Sequence, residues 1–118
     1  MVRRFLLTLW NTYAFFVTYA NIEGWRPSPS AAPVAERPPL DRWLLSELNV
    51  LVERVDRELA DFNATGAGRS IATFVDRLSN WYVRRSRRRF WEGDQAAFAT
   101  LYETLVTLTK LWHPTRPS

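Results

Sequence analysis

The chain has 118 residues, 16 basic against 12 acidic side chains for a net charge of +4, 47% hydrophobic and 14% aromatic content, and no cysteine. This is enough for one domain with a real core but not for a multi-domain enzyme. Without cysteine, and with His113 as the single histidine, the chain has no disulfide framework, no thiolate zinc site, no thiol nucleophile and no two-imidazole site. Its 6 Trp, 7 Phe and 4 Tyr offer more burial than a solvated coil carries.

The first segment, Met1-Val2-Arg3-Arg4 followed by apolar residues from Phe5 to Ala20, has the outline of a signal peptide. Its interior holds Thr8, Asn11, Thr12, Trp10 and Tyr13, and it is shorter than the roughly 20 apolar residues that span a bilayer. Leu6, Leu9, Tyr13, Phe16, Val17 and Ala20 recur at helical spacing. The pattern predicts a first core helix, with export as the alternative reading. Trp10, Tyr13, Phe15 and Phe16 are expected in the core, as is Trp43.

Gly24 then breaks the pattern, and Pro27, Pro29, Pro33, Pro38 and Pro39 follow among small residues. Residues 24–39 are therefore expected to form an extended connector, long enough to cross the length of a helical bundle. From Leu40 the apolar positions 40, 44, 48, 51, 52, 55, 59 and 62 form one seam, which predicts a second helix with Pro39 in its first turn and Asp41 near its positive end. Asn63 or Thr65 is placed to cap a third helix. That helix carries Ala67, Ile71, Phe74, Val75, Leu78 and Tyr82 as its stripe. Glu92-Gly93-Asp94 closes it and opens a fourth helix, with Phe98, Leu101, Tyr102, Leu105, Leu108 and Trp112, and His113-Pro114 and Pro117 stop the last one. No alternating run, repeat or Gly-rich strand-to-helix turn occurs. The expected fold is all-α: a single antiparallel bundle over residues 1–118, of four helices, with a long Pro-rich connector between the first two.

The charge is local. Between Arg77 and Phe90 lie six arginines and no acid, whereas the other residues carry 10 basic against 12 acidic groups. At about 100° per residue, Arg77, Trp81, Arg84, Arg88 and Trp91 share one helix face over roughly 20 Å. Guanidiniums pair with phosphate oxygens and indoles offer faces for unstacked bases, so this face suits an RNA loop better than a regular duplex. The same spacing carries the core stripe from Tyr82 into Arg85 and Arg89. Core-facing guanidiniums need acids from neighbouring helices, or the helix end must overhang the bundle. A basic helix end that complements the macrodipole accounts for one or two arginines, not for five in six positions.

Asn80-Trp81-Tyr82-Val83-Arg84-Arg85-Ser86-Arg87-Arg88-Arg89-Phe90-Trp91 closely resembles the arginine string of the anticodon-binding domain of isoleucyl-tRNA synthetases. Trp10 to Phe16 is similar to that domain's opening helix and Leu40 to Leu45 to its second. Phe74 to Ser79 matches the lead-in to the string, and Leu101 to Leu105 the last helix. The resemblance implies a bundle that grips the anticodon stem-loop of isoleucine tRNA. By motif match it points to Trp81, Arg84, Arg85, Arg88, Arg89 and Trp91; the helical-face argument adds Arg77, and the first helix adds Asn11 and Tyr13. The family's apolar Ala-Pro-x-x-Pro-Phe continuation is reduced here to the two prolines of His113 to Ser118. Neither ATP-site signature of class I synthetases fits a chain with one His and Lys110 as its lone lysine.

The resulting expectation is a tRNA-binding module of an isoleucyl-tRNA synthetase, acting in the cytoplasm with the remainder of the synthetase as its partner. It would have no catalytic residue, metal, cofactor or membrane association of its own, and ATP binding would belong to the full-length ligase alone. Two alternatives stand beside it: the same bundle from a Val, Leu or Met synthetase, and a free-standing helical interaction protein that turns its arginines to an acidic partner.

Overall fold

The computed structural model describes residues 2–26 and 33–112; Pro27 and Pro29 of the connector, and the expected stop at His113-Pro114 and Pro117, lie outside them. Among the described residues there are helices and no strand: α1 (Val2–Glu23), a short 3₁₀ turn (Val34–Glu36), α2 (Pro39–Ala60), α3 (Ala64–Arg77), a π-helical segment (Leu78–Val83), α4 (Arg84–Trp91) and α5 (Gln95–Trp112). α3, the π segment and α4 follow one another without a break, so the bundle has four rods. None of the described helices is long and apolar enough to cross a membrane.

Each boundary has a local cause. Pro39 opens α2 at a position where its missing N–H is no loss. Asn63 caps α3, its side chain accepting from Gly66 N at 3.0 Å. At the end of α2, Asn63 N donates to Glu58 O at 2.7 Å and Phe62 N to Leu59 O at 3.0 Å, which is the Schellman arrangement. It places Phe62 at φ 58° and leaves its ring 96% exposed. Phe62 therefore does not extend the apolar seam of α2 as its spacing predicted. The bend between α4 and α5 uses Gly93 at φ 76°, where the Glu23 side chain occupies the space a Cβ would need.

Glu23 reaching Gly93 puts the end of α1 beside the end of α4, and Asp41 meets Arg89 and lies with it at the same end. α1 and the α3–π–α4 rod thus run together, while α2 and α5 run back. α1 packs on α3 and α5, and α2 also packs on α3 and α5, so α1 and α2 occupy opposite corners. The end of α1 and the start of α2 therefore lie at the same end of the bundle, so the connector's described ends are not a bundle's length apart, as its composition suggested. Both its described ends are fastened to α5. Trp25 lies over Phe98 with centroids 5.8 Å apart, and the buried Arg37 donates to Thr100 Oγ1 at 3.2 Å and to Glu103 Oε2 at 2.8 Å.

The core follows the expected stripes of three rods, except that Leu59 of the α2 seam, like Phe62, is exposed. Leu44, Leu48, Leu51 and Val55 of α2, Ala67, Ile71, Phe74 and Val75 of α3, Leu78 of the π segment, and Phe98, Leu101, Leu105 and Leu108 of α5 are buried together. α1 departs from expectation: Phe16 and Ala20 are buried and Phe15 partly so, but Trp10 is 64% and Tyr13 48% exposed. A 22-residue helix with aromatic side chains nearly all round buries a narrow stripe, and composition alone does not say which aromatics fall outside it.

Candidate nucleic-acid interface

The π segment decides which arginines face water. With i→i+5 pairing, one turn takes up an extra residue, so the buried stripe passes from Leu78 to Tyr82 and Val83 and then to Ser86 and Phe90. Arg85, predicted to face the core by uniform helical spacing, is exposed. Its guanidinium lies 4.7 Å from the Trp81 ring centroid, a stabilising cation–π contact. Trp81 in turn meets Trp43 of α2 edge-on at 4.8 Å, and Trp43 is half-buried at the core's edge.

Arg89 behaves differently. Its Nη1 and Nη2 each donate to Asp41 at 2.7 Å, and its Nε to Asp94 at 2.9 Å. The Tyr82 hydroxyl donates to the same Asp41 carboxylate at 2.7 Å. Asp41 is fully buried, so a fork-to-fork pair with both carboxylate oxygens engaged ties the start of α2 to α4, and Asp94 carries the tie into the α4–α5 bend. Burial and the Asp41 charge push the Tyr82 phenol well above its ordinary value. For Asp94 burial acts upward, but the Arg89 hydrogen bond and charge and the Ala96 and Ala97 backbone N–H groups bring the carboxyl below its usual value. Ser86 is buried one turn beyond Tyr82.

The remaining arginines form the outer face. Arg84 is exposed, and Arg88, 88% exposed in its side chain, makes only a loose contact of 3.7 Å with Glu92. Arg77 is held as loosely, 3.9 Å from Glu47. Trp91 is 72% exposed at the end of the rod. Arg87 leaves this face and lies 5.8 Å from the Phe15 ring of α1, while Phe15 packs edge-on against Phe90 at 5.3 Å.

Arg77, Arg84, Arg85, Arg88 and Trp91 are thus exposed, with Trp81 open on one side between Arg85 and Trp43, and Arg89 is set apart from them by its two carboxylates. Asn11 is exposed one turn before Phe15 and so lies on the α4 side of α1. Tyr13 is about 200° around the helix from Asn11, with its ring 5.9 Å from that of Trp10; the structure does not bring it to the arginine face. Asp41 was missed as the fixed partner of the string, although a guanidinium on the core stripe signals that some acid must meet it.

A helical bundle with an outward row of arginines and indoles belongs to a recognised class. Residues 41–118 match the family described as the anticodon-binding domain of tRNA ligase, and the chain belongs to that family. Within it, the chain is similar to isoleucine–tRNA ligases: 53% identical over 117 residues to that of Streptomyces avermitilis, 51% over 121 residues to that of Porphyromonas gingivalis, and 52% over 120 residues to that of Deinococcus radiodurans. These matches cover 98–99% of the chain and about 11% of each ligase.

Proposed function

We propose that the chain is the tRNA-gripping part of an isoleucyl-tRNA synthetase, works in the cytoplasm beside the remainder of that enzyme, and receives the anticodon stem-loop of isoleucine tRNA on the arginine face of α4. One observation carries the reading: with Arg89 consumed by Asp41 and Asp94, the neighbouring Arg84, Arg85 and Arg88 are left exposed in register with Trp81 and Trp91. A buried ion pair fixes the helix, and the fixed helix presents cations and aromatic plates at set spacing. Phosphates meet the guanidiniums, while unstacked bases lie on Trp91 and on the Arg85–Trp81 stack, since guanidinium planes accept bases as aromatic rings do. Arg89 acts by position, and Asn11 is placed to touch the same RNA from α1.

The test is the salt dependence of RNA binding. Replacing Arg84 and Arg88 by Ala should flatten the slope of log K against log salt by about one unit per lost phosphate contact, with thermal stability unchanged. An unaltered slope in the folded double variant removes both residues from the interface.

A further inference from the structure

The arginine face does not end at the π segment. Trp43, Asp76, Arg77, Asn80 and Trp81 line a hollow of about 370 Å³. Arg77 also lines a second groove of about 340 Å³ between α2 and α3. This second groove carries Arg54 from α2 and Arg69 from α3, residues on none of the stretches that resemble the family's motif. Neither arginine makes an ion pair among the described residues. Both arginines are exposed and line one groove from different helices, so an anion lying in it meets a guanidinium from either side, and the fork geometry of each suits phosphodiester oxygens. From Trp81 to Arg69 the rod covers roughly 18 Å at 1.5 Å per residue, which is a distance along a nucleic-acid strand and not the size of one ion.

We infer that the α2/α3 groove is a second RNA contact, in which Arg54 and Arg69 hold backbone phosphates of the stem while the α4 face holds the loop. The inference rests on the proposed RNA-binding role of that face. Arg77 sits between the two regions and serves both. Glu47, 3.9 Å from Arg77, lies inside the groove as its single acid; it keeps phosphates toward the Arg54–Arg69 end and lowers the affinity of the whole track. The Glu58 carboxylate nearby accepts from Ser70 Oγ at 2.9 Å and is turned to that hydroxyl.

The experiment measures binding of the 118-residue chain to two RNA hairpins, the full anticodon stem-loop of isoleucine tRNA and the same loop on a truncated stem, across a salt series. The Arg54→Gln/Arg69→Gln variant should lose about tenfold in affinity for the full hairpin at 0.1 M salt, with a slope flatter by one to two units, and little for the truncated one. Arg54→Lys/Arg69→Lys should restore most of the slope, and Glu47→Gln should bind the full hairpin several-fold more tightly. Thermal melts of all variants should coincide with that of the parent. If the Gln pair is silent while Arg84→Ala/Arg88→Ala flattens the slope, the groove is overturned and the α4 face stands. If both pairs are silent, the RNA-binding reading fails and takes the groove with it. Equal losses on the two hairpins show attraction at a distance without a stem contact, and selective dependence on Arg54 and Arg69 for an acidic peptide makes the groove a protein site; either result overturns the inference.

Discussion

Replacing Asp41 by Asn keeps the side chain's shape and removes its charge, and the structure makes the cost calculable. Asp41 is fully buried and accepts from Tyr82 Oη, Arg89 Nη1 and Arg89 Nη2, each at 2.7 Å. The amide can still accept from two of these donors, but its NH₂ group faces an N–H of Arg89. Breaking a buried pair from one side costs about 3–5 kcal/mol, because the abandoned charge stays where it is. Arg89 is 20% exposed in its side chain and keeps Asp94 at 2.9 Å, which places the expected loss near the lower end, about 3 kcal/mol. Against a total stability of roughly 5–15 kcal/mol this is a large fraction, and it corresponds to a fall in Tm of about 10 °C. Urea unfolding followed by far-ultraviolet circular dichroism measures it, with the m-value checking that the unfolded state is unchanged. Asp41→Asn combined with Arg89→Gln should cost less than the sum of the single variants by about 2 kcal/mol. A loss below about 1 kcal/mol for Asp41→Asn, or strict additivity of the pair, refutes the view that this ion pair fixes α4 to α2.

Three further outcomes are expected. Trp91→Ala should cost about 1–3 kcal/mol of RNA binding with unchanged stability, since the ring is 72% exposed, whereas Trp81→Ala should lower both because it also strips the edge of Trp43; calorimetric melts with filter binding separate the two. The raised phenol of Tyr82 favours the folded state below the ordinary tyrosine range, so stability should be full below about pH 10 and fall by about 1.4 kcal/mol per pH unit above it; Tyr82→Phe should remove that slope, and an equal slope in the variant contradicts the assignment. Phe62→Gly should stabilise the bundle by about 0.5–1 kcal/mol in urea unfolding, because a side chain at φ 58° with its ring in water is strained without compensating burial.

Most of the bundle was legible because its rods obey one period. The seam of α2, the stripe of α3, the Asn63 cap and the Gly93 bend follow from local chemistry that tertiary packing did not override. Where the connector's ends are fastened was not legible, since a Pro-rich composition sets reach without direction, and the anchors Trp25 on Phe98 and Arg37 on Glu103 join residues far apart in sequence. The candidate site was legible as a string but not as a face. A constant 100° step turns Arg85 inward, and only the i→i+5 segment returns it to solvent while Val83 takes the core position. Asp41 shows the same limit from the other side: its place in the first turn of α2 suggested an acid meeting the helix dipole, and the fold makes it the buried partner of a guanidinium 48 residues away.

The most direct measurement compares binding of the chain, at one moderate salt concentration, to the anticodon arm of isoleucine tRNA, to a duplex RNA of equal length and to heparin. Phosphate contacts position a ligand without reading it, so discrimination among these polyanions must come from unstacked bases on the aromatic members of the face. The anticodon arm should bind about tenfold more tightly than either competitor, or about 1.4 kcal/mol. The preference should fall in Trp91→Ala. Equal affinity for all three ligands would leave only a charged surface and contradict anticodon recognition by this domain.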